Sequence, residues 1–116
     1  MEKKLEVSLL LDFYGELLKP SCRQATDLYC NDDLSLSEIA QELGITRQGV
    51  LDKIRRSEQQ LYELEQKLGM MRRFRELEAG LDDISRAAGE IAGSSEDEQI
   101  RALALRIGER AAALKE

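Results

Sequence analysis

The chain has 116 residues, of which 42% are hydrophobic, 34% are charged and only 4% are aromatic. This length fits one domain or a small domain with an appendage, and the scarcity of aromatic residues predicts an aliphatic core. The absence of histidine excludes every mechanism that needs a histidine base, triad or ligand, and the net charge of -6 argues against indiscriminate binding of nucleic acids.

The first third of the sequence predicts two helices separated by a proline. Apolar residues at spacings of three and four indicate a helix over about residues 3–18. Lys19-Pro20 should end this helix, because a proline steers the preceding residue out of the helical region. Ser21 and Gln24 have the pattern of a capping box for the second helix, and residues 31–33 (Asn-Asp-Asp) predict the turn after it.

The two cysteines of the second helix are predicted to be free thiols. Cys22 and Cys30 are eight residues apart, which places their Cα atoms roughly 12 Å apart in a helix, too far for a disulfide. Two cysteines without a histidine also cannot supply the usual four ligands of a zinc site. We therefore expect no metal and no cofactor.

The middle of the chain predicts a helix-turn-helix unit over residues 36–56. Ser35 and Glu38 have the capping-box pattern at the start of a short helix, and Gly44 suits the tight turn that follows it. Thr46 can cap a longer helix that continues to about residue 68. Small or apolar residues would hold the two helices together from the inside: Ile39, Ala40, Leu43, Ile45, Val50 and Ile54.

The second helix of such a unit can enter the major groove of DNA and present its N-terminal residues to base edges. Residues 46–56 carry four basic residues against Asp52, a charge of +3 within an acidic chain. Arginine reads guanine and glutamine reads adenine through paired hydrogen bonds. The alternative is a solvated helix face, since Asp52 would repel phosphate. The candidate nucleic-acid-binding residues are Arg47, Gln48, Lys53, Arg55 and Arg56.

The last third predicts a long antiparallel helical hairpin. Seven residues alternate spacings of four and three, which is the heptad pattern of a helix packed along another helix. Gly93-Ser94 predicts the turn, and Ser95 with Glu98 has the capping-box pattern for the final helix. The seven residues of the heptad pattern are Met70, Phe74, Leu77, Leu81, Ile84, Ala88 and Ile91.

This C-terminal segment leaves two questions open. The heptad helix could pair with a second copy to form a homodimer, or it could be covered by the last helix of its own chain. A second basic cluster, Arg72, Arg73 and Arg75, could contact phosphate or an acidic partner, or form the solvated edge of the helix.

Neither catalysis nor membrane insertion is predicted. Asp32-Asp33 and Asp82-Asp83 are adjacent pairs, and adjacent residues do not face each other on a helix. No apolar run approaches the roughly 20 residues that span a bilayer, and the N-terminus lacks a signal-peptide pattern. We therefore predict a non-enzymatic, cytoplasmic protein.

The order of these parts resembles a bacterial family. The segments LLLDFYGELL (residues 9–18) and DLSLSEIAQELGITRQGVLDKIRRSEQQL (residues 33–61) are similar to YlxM-like proteins, which are similar to the DNA-binding C-terminal region of sigma factors. The resemblance covers about two thirds of the chain, and the last third resembles the family only in being helical. It implies an all-α fold, with a sigma-region-4-like helix-turn-helix bundle over residues 1–68 and a long helical hairpin over residues 69–116.

The resemblance also implies a function. YlxM-like proteins are associated with the signal recognition particle (SRP), so it implies a regulatory protein that contacts the particle's protein GTPase, its RNA, or both. The alternative is a transcriptional regulator that binds specific DNA in the manner of a sigma factor. The negative net charge favours a protein or RNA partner over autonomous binding of DNA.

Overall fold

A computed structural model describes residues 2–115, which contain six α-helices and no β-strand. The predicted all-α fold with a helix-turn-helix bundle is thereby confirmed. The chain divides into two compact units, Met1–Met71 and Arg72–Glu116. The helices are α1 (Lys3–Tyr14), α2 (Pro20–Cys30), α3 (Leu36–Leu43), α4 (Arg47–Leu68), α5 (Met70–Ser94) and α6 (Glu98–Leu114), with a 3-10 turn at Gly15–Leu17.

The core of the first unit consists of two aliphatic clusters that share α4. One cluster packs α1 against the C-terminal half of α4, and the other packs α2 and α3 against its N-terminal half. Burial of each large apolar side chain contributes roughly 1.5–3 kcal/mol to stability. The first cluster contains Val7, Leu10, Leu11, Tyr14, Leu18, Leu61 and Met71; the second contains Ala25, Ile39, Val50 and Ile54.

Two predictions near the α1–α2 connection were wrong. The α-helix ends at Tyr14 rather than near residue 18, because the chain tightens into the 3-10 turn and becomes extended at Leu18. The predicted capping box of Ser21 and Gln24 is absent: α2 begins at Pro20 with Lys19 as its N-cap, two residues earlier than a cap at Ser21 would place it. Proline suits the first helical position because it has no N–H to satisfy there and its φ is already helical.

A buried tyrosine organises the end of α4 and the first residues of α5, all within the first unit. The Tyr14 hydroxyl donates to Glu65 Oε1 (2.8 Å) and accepts from the Met70 N–H (3.0 Å). The Met71 N–H donates to the same Glu65 oxygen (2.9 Å). These contacts satisfy backbone donors that a helix start leaves without intrahelical partners.

The second unit is an antiparallel hairpin of α5 and α6, as predicted. Asp82 on α5 forms an ion pair with Lys115, the residue after α6. A Cβ atom built at Gly108 would lie 3.8 Å from the Cβ of Ala88 and 3.9 Å from Ser85 Oγ, so the two helices approach closely there. Ala88, Ala104 and Ala111 are buried between them.

The predicted turn and cap between α5 and α6 were wrong in detail. Gly93 and Ser94 are still part of α5, and the N-cap of α6 is Asp97 rather than Ser95. The Asp97 carboxylate accepts from the N–H groups of Gln99 (2.8 Å) and Ile100 (3.2 Å). A carboxylate satisfies the helix start more strongly than a hydroxyl, because its charge also complements the helix dipole.

None of the helices in the described part of the chain is both long enough and apolar enough to cross a membrane.

Candidate nucleic-acid interface

The helix-turn-helix unit is formed by α3, a three-residue turn and α4. Ser35 Oγ accepts from the Glu38 N–H (3.1 Å), and the Glu38 carboxylate accepts from the Ser35 N–H (3.0 Å), so the predicted capping box is confirmed. Gly44 ends α3 with φ of +68°, a conformation that favours glycine. Thr46 Oγ1 accepts from the Gly49 N–H (3.0 Å) and caps α4. Local hydrogen bonds therefore determine where both helices begin.

The two helices are held together by the residues that their periodicity predicted. Ile39, Val50 and Ile54 are buried, and Ala40, Leu43 and Ile45 are partly buried against them. Ala25 of α2 is buried in the same cluster. This packing presents the outer side of the N-terminal half of α4 to solvent.

The first candidate residues lie on the exposed part of α4. Arg47, in its first turn, is exposed and can reach a ligand directly. Gln48 is also exposed, but its amide donates to Asp52 Oδ1 (3.0 Å) one turn further along. The Gln48 amide keeps its second N–H and its carbonyl oxygen for a base edge.

The structure gives Lys53 a partner within the protein. Its side chain is partly buried, and its ammonium donates to Ser21 Oγ (3.2 Å) on α2. The ammonium group retains further donors for a phosphate. Lys53 thus occupies the side of α4 that faces α2, whereas Arg55 lies on the outer side of the helix and is exposed.

Arg56 lines a shallow groove together with a basic residue that the sequence analysis missed. Lys19, the residue before α2, shares this groove with Arg56, Gln59 and Gln60. Lys19 is 37 residues away from Arg56 in the sequence, so only the packing of α2 on α4 brings them together. From the sequence, Lys19 was identified only as the residue before Pro20, where the first helix was expected to end.

The second basic cluster lies at the start of α5. Arg72, Arg73 and Arg75 are exposed there, within the second unit.

The two cysteines lie on α2 as free thiols. Cys22 is buried and Cys30 is partly buried. Burial and the nearby Glu58 raise the pKa of the Cys30 thiol to about 11, so it is protonated at neutral pH. Among residues 2–115, no group of three or more Cys, Asp or Glu side chains is arranged to hold a metal ion.

Comparison with known proteins identifies the family. Residues 1–101 match the family described as "Putative helix-turn-helix protein, YlxM / p13 like". The chain is 38% identical over 103 residues to the UPF0122 protein YlxM of Bacillus subtilis, covering 89% of this chain and 91% of that protein. It is 50% identical over 74 residues to a UPF0122 protein of Acetivibrio thermocellus, covering 64% of this chain and 63% of that protein.

The similarity to this family extends beyond residues 9–18 and 33–61, the two segments on which the resemblance was based. The match over residues 1–101 includes all of α5, so the expectation that the last third resembles the family only in being helical was wrong. The described family is one of helix-turn-helix proteins rather than of enzymes. This chain therefore belongs to the UPF0122 family of YlxM / p13-like helix-turn-helix proteins.

Proposed function

We propose that this protein is a non-catalytic regulator that contacts nucleic acid through the N-terminal half of α4 and takes part in the SRP protein-targeting pathway. The proposal rests on the exposed, positively charged start of α4. The Thr46 cap determines where this helix begins, and packing against α2 and α3 holds it in place. The pathway is implied by the resemblance to YlxM-like proteins. The partners are the particle's RNA, its protein GTPase, or both.

The distribution of charge supports RNA or protein as the partner over autonomous binding of DNA. The whole chain carries a net charge of -6, so long-range attraction to a duplex is weak. Arg47, Arg55 and Arg56 offer few phosphate contacts, and Asp52 lies among them. Because each contact contributes about -0.9 to the log–log salt slope on duplex DNA, binding by so few contacts should be weak at physiological salt.

The proposal is tested by titrating labelled SRP RNA with this protein, in the presence and in the absence of the particle's GTPase. We expect binding in at least one condition, and a loss of about tenfold or more when Arg47 and Arg55 are both changed to Ala. Lys67→Ala is the matched control, because Lys67 is exposed in the last turn of the same helix. No binding in either condition, or equal loss in the control, would contradict the proposal.

The alternative function is a DNA-binding transcriptional regulator with sigma-like readout. The observation that favours it is the helix-turn-helix geometry itself, in which Arg47 and Gln48 lie at the start of the second helix. Tight, sequence-selective binding of duplex DNA at physiological salt that is lost in Arg47→Ala would establish this alternative instead.

We further propose that the protein works in the cytoplasm as a homodimer, with a helix-turn-helix domain over residues 1–68 and dimer contacts from the C-terminal segment over residues 69–116. Half-exposed residues of the heptad pattern support this, including Leu77, Ile84 and Ile91.

A further inference from the structure

The hairpin of α5 and α6 leaves large apolar side chains exposed on one side. The close approach of the helices buries mainly small residues, such as Ala88, Ala104 and Ala111. Eight larger residues lie on one flank of this contact and remain 40–62% exposed. We call them the apolar face: Phe74, Leu77, Ile84 and Ile91 on α5, and Ile100, Leu103, Ile107 and Leu114 on α6.

The apolar face is continuous across the two helices. Leu81 and Ile84 line a groove with Ile107 and Leu114, and Phe74 and Leu77 extend the same groove past Leu114. The other residues of the apolar face, Ile91, Ile100 and Leu103, lie one or two helical turns further along the same side of α5 or α6. Contiguous exposed apolar surface of this kind marks an interaction site.

The two outer edges of the apolar face carry opposite charges. Glu76, Asp83 and Glu90 recur every seven residues along the edge of α5 that points away from α6. Arg106 and Arg110 lie along the corresponding outer edge of α6, with Glu109 beside them. The α5 edge therefore carries three carboxylates, of which Asp83 also pairs with Arg86 of the same helix (3.3 Å), and the α6 edge carries two guanidinium groups and one carboxylate.

We propose that the apolar face packs against the same face of a second copy of this chain, with α5 of each copy lying over α6 of its partner. A two-fold axis parallel to the helices produces this arrangement and brings the acidic edge of each copy onto the basic edge of the other. Every helix then has antiparallel neighbours in a four-helix bundle. The inference rests on the proposed homodimer and goes beyond it by assigning α6 half of the interface.

The size of the apolar face suits an interaction surface. Eight large apolar side chains that are each 40–62% exposed form a patch on the order of several hundred Å², the range in which exposed apolar patches mark interaction sites. A second copy presents an apolar face of the same size, and its α6 edge brings arginines to the carboxylates of the α5 edge. An unrelated apolar partner would not supply both.

The register of the hairpin predicts one specific ion pair between the copies. Within one chain, Gly108 lies level with Ala88 and Ser85, and the helices run in opposite directions. Two residues further along α5 from Ala88 is Glu90, and two residues back along α6 from Gly108 is Arg106. Glu90 and Arg106 therefore lie at about the same height along the hairpin. Because a two-fold axis parallel to the helices preserves height, Glu90 should meet Arg106 of the partner subunit.

Sedimentation equilibrium of Ile107→Asp and Leu105→Asp tests the apolar face. Leu105 is the matched control because it is 56% exposed on the same helix but points to the opposite side of the hairpin. We expect the parent protein and the control to sediment at twice the 13.1 kDa chain mass, and Ile107→Asp to weaken the dimer by about 100-fold.

The outcomes separate this inference from the broader proposal. A monomeric parent protein at all concentrations would contradict both the homodimer and this interface. A dimeric parent whose Ile107→Asp variant stays dimeric, with circular dichroism showing intact helices, would contradict this interface alone.

Charge reversal tests the arrangement of the two copies. Glu90→Arg and Arg106→Glu should each weaken the dimer by about tenfold, and the double variant should recover most of that loss. If each single variant weakens the dimer and the double variant is weaker still, the copies do not pair α5 over α6.

Discussion

Short polar side chains at helix starts determine where the helix-turn-helix unit begins and turns. Ser35 and Thr46 each accept from a backbone N–H three residues later, and Glu38 completes the box at Ser35. The backbone hydrogen bond from Ser35 keeps the pKa of the Glu38 carboxyl below its ordinary value. These contacts are local in sequence, which is why they could be predicted from it.

Replacement of Ser35 by Ala should destabilise the protein by about 1 kcal/mol, because the Glu38 N–H then lacks its acceptor. Urea denaturation at neutral pH measures this change. Ser37→Ala is the control, since Ser37 is exposed on the same helix and is not its cap. An equal loss in both variants would show that the cap is not responsible.

The capping box should also make stability depend on pH. The folded-state pKa of Glu38 lies below its unfolded value, so its contribution is present above the unfolded value of about 4.3 and is lost as pH falls through the folded value. We expect the stability difference between the parent protein and Glu38→Ala to shrink in acid. A difference that is constant from neutral pH to pH 3 would contradict this cause.

Tyr14 provides the sharpest residue-level test of the first core. Tyr14→Phe removes a buried hydroxyl that pairs with both Glu65 and the Met70 N–H, and should cost about 1–3 kcal/mol. Tyr62→Phe is a matched control, because the Tyr62 hydroxyl also donates to a carboxylate, that of Glu6, but on the surface. Thermal denaturation of both variants distinguishes them, and equal losses would contradict the role assigned to burial.

For the helices, the ends that could be predicted from the sequence are those with a local capping signal and no competing signal nearby. The starts of α3 and α4 and the glycine after each helix were confirmed for this reason. The predicted caps at Ser21 and Ser95 failed because Pro20 and Asp97 supply stronger starting signals nearby. The contact of Lys53 with Ser21 could not be predicted, since it depends on how α2 packs against α4.

Ile39 links the three helices of the second core cluster, so its truncation tests their packing. Ile39→Ala should destabilise the protein by about 2–5 kcal/mol, because it leaves a cavity among α2, α3 and α4. Leu17→Ala is the control, since Leu17 is 58% exposed. Chemical denaturation should give a small change for Leu17→Ala, and a comparable change in both variants would contradict the assigned core.

For the whole molecule, the negative net charge of the chain and the positive charge at the start of α4 have different consequences for binding. The net charge of -6 limits nonspecific attraction to nucleic acids. Recognition of a nucleic-acid partner would therefore depend on specific side-chain contacts. Candidate residues for those contacts could be nominated from the sequence. Their accessibility could not, because Gln48 is engaged by Asp52, Lys53 is engaged by Ser21, and Lys19 joins Arg56 only in the fold.

An NMR titration of the isotopically labelled full chain with SRP RNA can show whether the start of α4 contacts nucleic acid. We expect backbone amide shifts to concentrate in residues 46–56 and at Lys19, and to diminish when Arg47 and Arg55 are changed to Ala. Shifts confined to α5 and α6, or no shifts with or without the particle's GTPase, would contradict this contact.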